Sequence, residues 1–206
     1  MQVAWLDLPK TSDYLASVKF MEQKVSCVEQ NPQECFMLLH QYEDLFTMGS
    51  SADKAHLLDI GDIACYQSNR GGQVTYHGPG QRIIYPIIHL SLFNKDIRKY
   101  IRFLADTIIT TLNHFDIKGF FCEDKIGIWV GVVGGNYKIA SIGVRVKKWV
   151  AYHGLAVNID PDMSKFGKII ACGIKDNTHT SMAALGVKIH ISEFDKQFKT
   201  VFLKNL

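Results

Sequence analysis

The chain has 206 residues, 47% of them apolar and 21% charged, with a formal net charge of +3 at neutral pH. That length fits one large domain spanning 1–206, with ample apolar material for a core, and the weak basic excess does not by itself suggest nucleic acid. The five cysteines, at 27, 35, 65, 122 and 172, are odd in number and form no CxxC pair, which speaks against a disulfide framework and a zinc ribbon.

In chain order, the spacing of Leu15, Val18, Met21, Val25 and Val28 predicts a helix over 11–30, capped by Thr11 or Ser12. ECFMLLH (34–40), DIACYQSN (62–69) and RIIYPIIHL (82–90) read as strands, with Pro86 arguing for an edge or a bulge in the third. Over 95–115, Ile97, Ile101, Leu104, Ile108 and Leu112 lie along one helical face. Strand-like runs follow in IKGFFCE, KIGIWVGVV, YKIASIGVRV and WVAYHGLAVNI, with a hairpin turn at Gly134, Gly135 and Asn136. A last helix is expected over 192–203. Helices flanking a hairpin-rich centre imply an α+β fold with a mixed, largely antiparallel sheet rather than a repeating βαβ.

Residues 69–81, NRGGQVTYHGPGQ, hold four glycines, too many for a plain strand. Two glycine bends around QVTY can bring backbone close to a ligand, with Arg70 available to an anion and His77 as base, donor or structural group. The plainer reading is a tight turn between strands. Cys172 stands where an apolar run meets Gly173, a place where a thiol can be both supported and reachable, although most lone cysteines are small buried hydrophobes. A nucleophilic thiol needs a neighbouring cation or base, and His77, His153, Lys138 and Lys175 are the candidates by type. Lys138 stands out because Ile139, Ile142, Val144 and Val146 surround it. Its plainer reading is a surface lysine at the start of a strand.

RGGQVTYHGPGQ, KIASIGVRV, HGLAVNID and ACGIKD together resemble the octanoyltransferases of lipoate biosynthesis, also called lipoyl(octanoyl) transferases, in the lipoate- and biotin-protein ligase fold group. The resemblance covers 70–186, including TSMAALG. It implies that Cys172 is an acyl-thioester nucleophile and that Lys138 lowers its pKa and serves as acid and base. It implies substrate contacts from Arg70, Gly71, Gly72, Gln73, Val74, Thr75, Tyr76 and His77, from Ser141, Ile142 and Gly143, and from Gly154, Leu155 and Ala156. Asn69 and Ala171 depart from the serine and proline that many members carry there. Tyr76 and its apolar neighbours are expected to flank the acyl tail.

The implied reaction moves an octanoyl or lipoyl group from acyl carrier protein to a lysine of a lipoyl domain, without ATP, metal or other cofactor. Expected acceptors are the lipoyl domains of 2-oxoacid dehydrogenases and the glycine cleavage H protein. Nucleic acid and membranes are not expected partners: no run of about 18 apolar residues occurs. Unpaired thiols and an N-terminus without signal-peptide character imply the cytoplasm. The alternatives are an ATP-dependent lipoate-protein ligase, a non-catalytic module binding carrier or lipoyl domains, and a cysteine hydrolase.

Overall fold

The computed structural model describes residues 2–11, 13–171 and 178–206. A seven-stranded sheet forms its centre, in the order β1 (Gln2–Asp7), β2 (Glu34–His40), β6 (Gln81–His89), β10 (Val150–Asn158), β9 (Gly135–Lys147), β8 (Gly127–Val132), β7 (Gly119–Phe121). Within this sheet, among the described residues, only β1 and β2 pair in parallel, and every other neighbour is antiparallel. A second sheet has β4 (Ala64–Gln67), β3 (Leu45–Met48) and β5 (Val74–His77), in that order. The α+β architecture is the expected one. Among the described residues no helix is long and apolar enough to cross a membrane.

Helix α1 (Tyr14–Gln30) begins at Asp13, whose carboxylate accepts the amide hydrogen of Ala16, so the cap is Asp13 rather than Thr11; Ser12 lies outside the described residues. It buries Tyr14, Ser17, Met21, Val25 and Val28 against β2, β6 and β10, while Leu15 is exposed. Helix α2 (Ile97–Asn113) presents Leu104, Ile108 and Leu112 to the opposite face of the sheet. Helix α3 (Ile191–Asn205) covers that same face with Phe194, Phe198 and Phe202, one per turn. Trp5 of β1 meets Phe198 and Phe202 edge-on, which anchors a first strand that its own short sequence does not announce.

Strand β6 corrects the edge expectation for Pro86. It is internal, between β2 and β10. Pro86 still pairs in register with Met37, but toward β10 the ladder lapses between the Ala151–Ile88 and Leu155–Ile84 pairs. A missing amide hydrogen is thus matched by a local break. Opposite the break His153 has φ +57°, and the N–H it withholds from β6 donates to Met21 Sδ at 3.3 Å. Gly154 follows with φ +157°, and a Cβ there would stand 2.6 Å from Pro86 Cδ and 2.7 Å from the Ile84 carbonyl. The proline and the glycine are two halves of one irregularity. The β8–β9 turn is also earlier than expected: Val132 already pairs with Gly135, leaving Val133 and Gly134 at the tip.

Candidate active site

A cavity of about 310 Å³ lies where the small sheet faces the large one. Its walls include Arg70, Gly71, Gly72, Gln73, Thr75 and His77 from the glycine segment, and Ser141, Ile142 and Gly143 from β9. Gly154, Leu155 and Ala156 of β10 and Lys138 line it as well. Sequence-distant blocks that were singled out separately therefore share one space. Val74 and Tyr76 do not line it, and Cys172 and Lys175 lie outside the described residues.

The placement of Tyr76 follows from strand alternation. The segment 69–81 carries a strand after all: β5 pairs with β3, setting Leu45 opposite His77 and Thr47 opposite Thr75. Those residues share one face. Val74 and Tyr76 take the other, packed with Phe46, Met48 and Phe166. The Tyr76 hydroxyl donates to Asp44 Oδ1 at 2.5 Å, so this ring is part of the support behind the wall rather than of the cavity surface.

Arg70 is the clamp of the segment. Its guanidinium donates to the carbonyls of Gly71, Thr47 and Gln73 at 2.9 Å each, and to Thr47 Oγ1 at 2.8 and 3.2 Å. Gly71 N–H donates to the Val144 carbonyl at 3.0 Å, and a Cβ on Gly143 would be 3.1 Å from the Gly71 carbonyl. The glycines here let one backbone lie on another as the wall closes.

From Arg70 a polar chain runs inward. Thr47 Oγ1 reaches His77 Nε2 at 3.3 Å, and His77 Nδ1 reaches Gln81 Oε1 at 2.7 Å. Gln81 Nε2 donates to the Tyr76 carbonyl and to Asn158 Oδ1, which turns its oxygen to His77. That oxygen can only accept, so the His77 proton sits on Nδ1 and Nε2 accepts from Thr47. Burial, helped by the Arg70 charge, lowers the His77 pKa to about 3. Neutral and bonded at both nitrogens, it is a poor proton acceptor. His153 is lowered to about 3 by burial and by Arg70, His77 and Arg145. Its Nε2 lies 2.7 Å from Asn69 Oδ1.

Lys138 is 2% exposed, which removes the surface-lysine reading. A bulge between Ile128 and Trp129 inserts one residue on β9. Ile139 and Ala140 consequently both pack in the core with α2 and α3, while Lys138 takes the parity of Ser141 and Gly143 and lines the cavity. Its Nζ donates to the Ile126 carbonyl at 3.0 Å and sits 5.1 Å from the Trp129 ring centroid. Trp129 Nε1 donates to the preceding carbonyl, Lys125, at 2.9 Å. The loop thus turns one carbonyl to the amine and the carbonyl before it to the Trp129 ring. Gly127 permits this approach: a Cβ there would be 2.9 Å from Lys138 Cε. On the other side, Lys138 N–H donates to the Thr178 carbonyl at 2.7 Å and Thr180 N–H donates to the Lys138 carbonyl at 3.0 Å.

His179 stacks on Phe166 at 4.4 Å, and burial and the Lys138 charge lower its pKa to about 3. Among the described residues its Nε2 and Thr178 Oγ1 are buried without a hydrogen-bond partner. Sequence reasoning missed Thr47, Gln81 and Asn158, which set the His77 proton, and Gly127 and Trp129, which seat Lys138. Only Gly127, following a charged loop and opening a strand, carried a visible signal.

Residues 13–203 match the family model of the lipoyl protein ligase A/B catalytic domain. The chain is 44% identical over 203 residues to an octanoyltransferase of Rickettsia felis, covering 97% of each chain. It is 43% identical over 205 residues to that of Rickettsia prowazekii, covering 98% of each. The fold is similar to a bipartite lipoate protein ligase of Thermoplasma acidophilum, with TM-score 0.80 and 13% identity over 100% of this chain and 84% of that one. It is more distantly similar to the biotin protein ligase of Aquifex aeolicus, with TM-score 0.57 and 10% identity over 99% and 69%.

Proposed function

The chain belongs to the lipoyl protein ligase A/B catalytic-domain family, and from that premise we propose that it is an octanoyltransferase of protein lipoylation, with Cys172 as nucleophile and Lys138 as its acid–base partner. The donor is octanoyl-acyl carrier protein, and the acceptor is a lysine of a lipoyl domain. The observation that carries the dyad is Lys138 itself: a buried amine in a cavity wall, its backbone bonded to Thr178, the first described residue after 172–177.

The Cys172 thiolate attacks the thioester carbonyl. A carbon–sulfur bond forms to Cys172, the carrier's carbon–sulfur bond breaks, and the departing sulfur takes a proton from the Lys138 ammonium. Lys138, now neutral, accepts a proton from the incoming ammonium of the lipoyl domain. The free amine attacks the acyl-cysteine carbonyl, its nitrogen gives its second proton to solvent, the amide forms, and Cys172 leaves as thiolate, with Lys138 again an ammonium. Hydrogen-bond donors facing the tetrahedral oxygen would stabilise both additions. A thioester already carries the driving force for amide formation, so no nucleotide enters the scheme.

Intact mass spectrometry after mixing with octanoyl-acyl carrier protein tests this. One octanoyl group should appear on Cys172, vanish in Cys172→Ser, and pass to an added lipoyl domain. An adduct on another cysteine, or modification of the domain by free octanoate only when ATP is present, would overturn it.

A further inference from the structure

Beside the acyl cavity runs a second hollow, a groove of about 650 Å³ between the first turns of α2 and the loop before β8. Ile101 and Ile126 line both, so the two spaces adjoin. Ile126 is also the residue whose carbonyl holds the Lys138 amine. A chain lying in the groove would reach the reacting groups directly.

Arg98, Lys99 and Arg102 line the groove against a single carboxylate, Glu123. Arg102 is already engaged by Asp106, with bonds of 2.9 and 3.0 Å. Neither Arg98 nor Lys99 makes an ion pair with a described residue, so two cations remain to meet a ligand. Ile101, Ile126 and Phe121 give the groove an apolar floor. Of the two substrates, the acceptor brings an ammonium, which this lining repels. The donor brings its thioester on a flexible arm joined to the carrier through a phosphodiester, which it attracts.

We infer that the groove is the entry for the donor arm, with Arg98 and Lys99 seating its phosphate while the acyl chain enters the cavity past Ile101 and Ile126. The inference rests on the donor being an acyl carrier, as proposed above. It also separates the two half-reactions in space, since the acceptor lysine must approach by a route outside these cations.

The test follows acyl-enzyme formation from octanoyl-carrier, octanoyl-phosphopantetheine and octanoyl-pantetheine, in the unaltered protein and in Arg98→Gln/Lys99→Gln. Lys99→Gln alone serves as the milder variant. The unaltered protein should prefer the phosphorylated small donor by about tenfold in kcat/KM, the equivalent of one modest ionic contact. The double variant should bring that ratio near one, and Lys99→Gln should fall between. A ratio near one in the unaltered protein, or one that survives in the double variant, would overturn the assignment. So would a loss confined to the intact carrier, which would place the contact on the carrier's protein surface. A loss confined to transfer from preformed acyl-enzyme would make the groove the acceptor's dock instead. No adduct from any donor would sink the transferase reading, and this inference with it.

Discussion

The glycine segment and the Lys138 pocket face the same cavity, yet they treat their polar groups in opposite ways. Around Arg70 and His77 the bonds turn inward: five donations from the guanidinium to Thr47 and the loop carbonyls, and a partner for each imidazole nitrogen. Among the described residues, the Lys138 amine finds one carbonyl, and Thr178 Oγ1 and His179 Nε2 close by are buried without partners. Satisfied networks make rigid walls, whereas buried polar atoms left without partners are costly to keep and need a reason. In the transfer proposed above, the glycine segment would form the wall around the substrate and the lysine pocket would hold a reacting group.

The strongest way to break that division is at the lysine. Lys138→Met keeps a long apolar stem against Trp129 and removes the amine. Transfer from octanoyl-carrier to a lipoyl domain should fall by about 10²–10⁴, the usual worth of a positioned acid–base group. Stability should change little by comparison. Single-turnover transfer beside a urea denaturation curve measures both, and an unaltered rate would make Lys138 a structural lysine.

Acid compares the regions through their histidines. His77 in the wall and His179 beside the lysine are both held well below the ordinary value of 6.5, at about 3. A group whose folded pKa is depressed in this sense takes up a proton on unfolding. Stability is therefore full above about pH 6.5 and declines as pH falls toward 3, by about 1.4 kcal/mol per pH unit for each such histidine. The side chain of His179 makes no hydrogen bond to a described residue, so His179→Phe should remove one such proton at little other cost. The slope of unfolding free energy against pH, measured between pH 6.5 and 4, should drop by about one proton's worth. An unchanged slope would mean that His179 is protonated in the folded protein.

Inside the wall, Thr47→Val keeps the shape and removes the hydroxyl between Arg70 and His77. Leaving those buried groups unpaired should cost about 1–3 kcal/mol, read as a lower urea midpoint at constant m. The acylation KM should rise as the glycine segment loosens, while transfer from preformed acyl-enzyme stays near normal. A loss of the transfer step instead would place the network among the reacting groups.

Much of this was legible in the sequence wherever a local rule governs. Helix α2 follows its apolar spacing, and the glycine blocks do meet on one cavity because close backbone approach needs glycine. What escaped is what pairing decides. Strand parity turned Tyr76 away from the cavity, and no residue near Tyr76 records that its neighbour is Phe46. A bulge, set by the partner strand, brought Lys138 into the cavity. Pro86 sits in an internal strand because His153 and Gly154, far along the chain, give up the matching bonds. Cys172 is singled out in the sequence by its block, and it lies outside the described residues.

The smallest expected effect tests where the wall ends. Asn69 stands at the head of the glycine segment, where many chains of the resembling family carry serine. Its amide spans two residues of β10, accepting from His153 Nε2–H at 2.7 Å and donating to the Tyr152 hydroxyl at 3.3 Å. An amide oxygen can only accept, so Asn69 holds the His153 proton on Nε2 and leaves Nδ1 as the acceptor nitrogen. Serine is shorter by one heavy-atom bond, and its hydroxyl can donate as well as accept. Asn69→Ser should cost about 0.5–1.5 kcal/mol, a few degrees in Tm for a chain of this length. It should also release the tautomer, so that the ¹⁵N shifts of the His153 ring move toward a mixture of the two neutral forms. A fixed tautomer with an unchanged Tm would show that the φ +57° backbone of His153 and its packing on Tyr85 orient the ring without help. The wall would then begin at Arg70, and Asn69 would be an exposed neighbour of it.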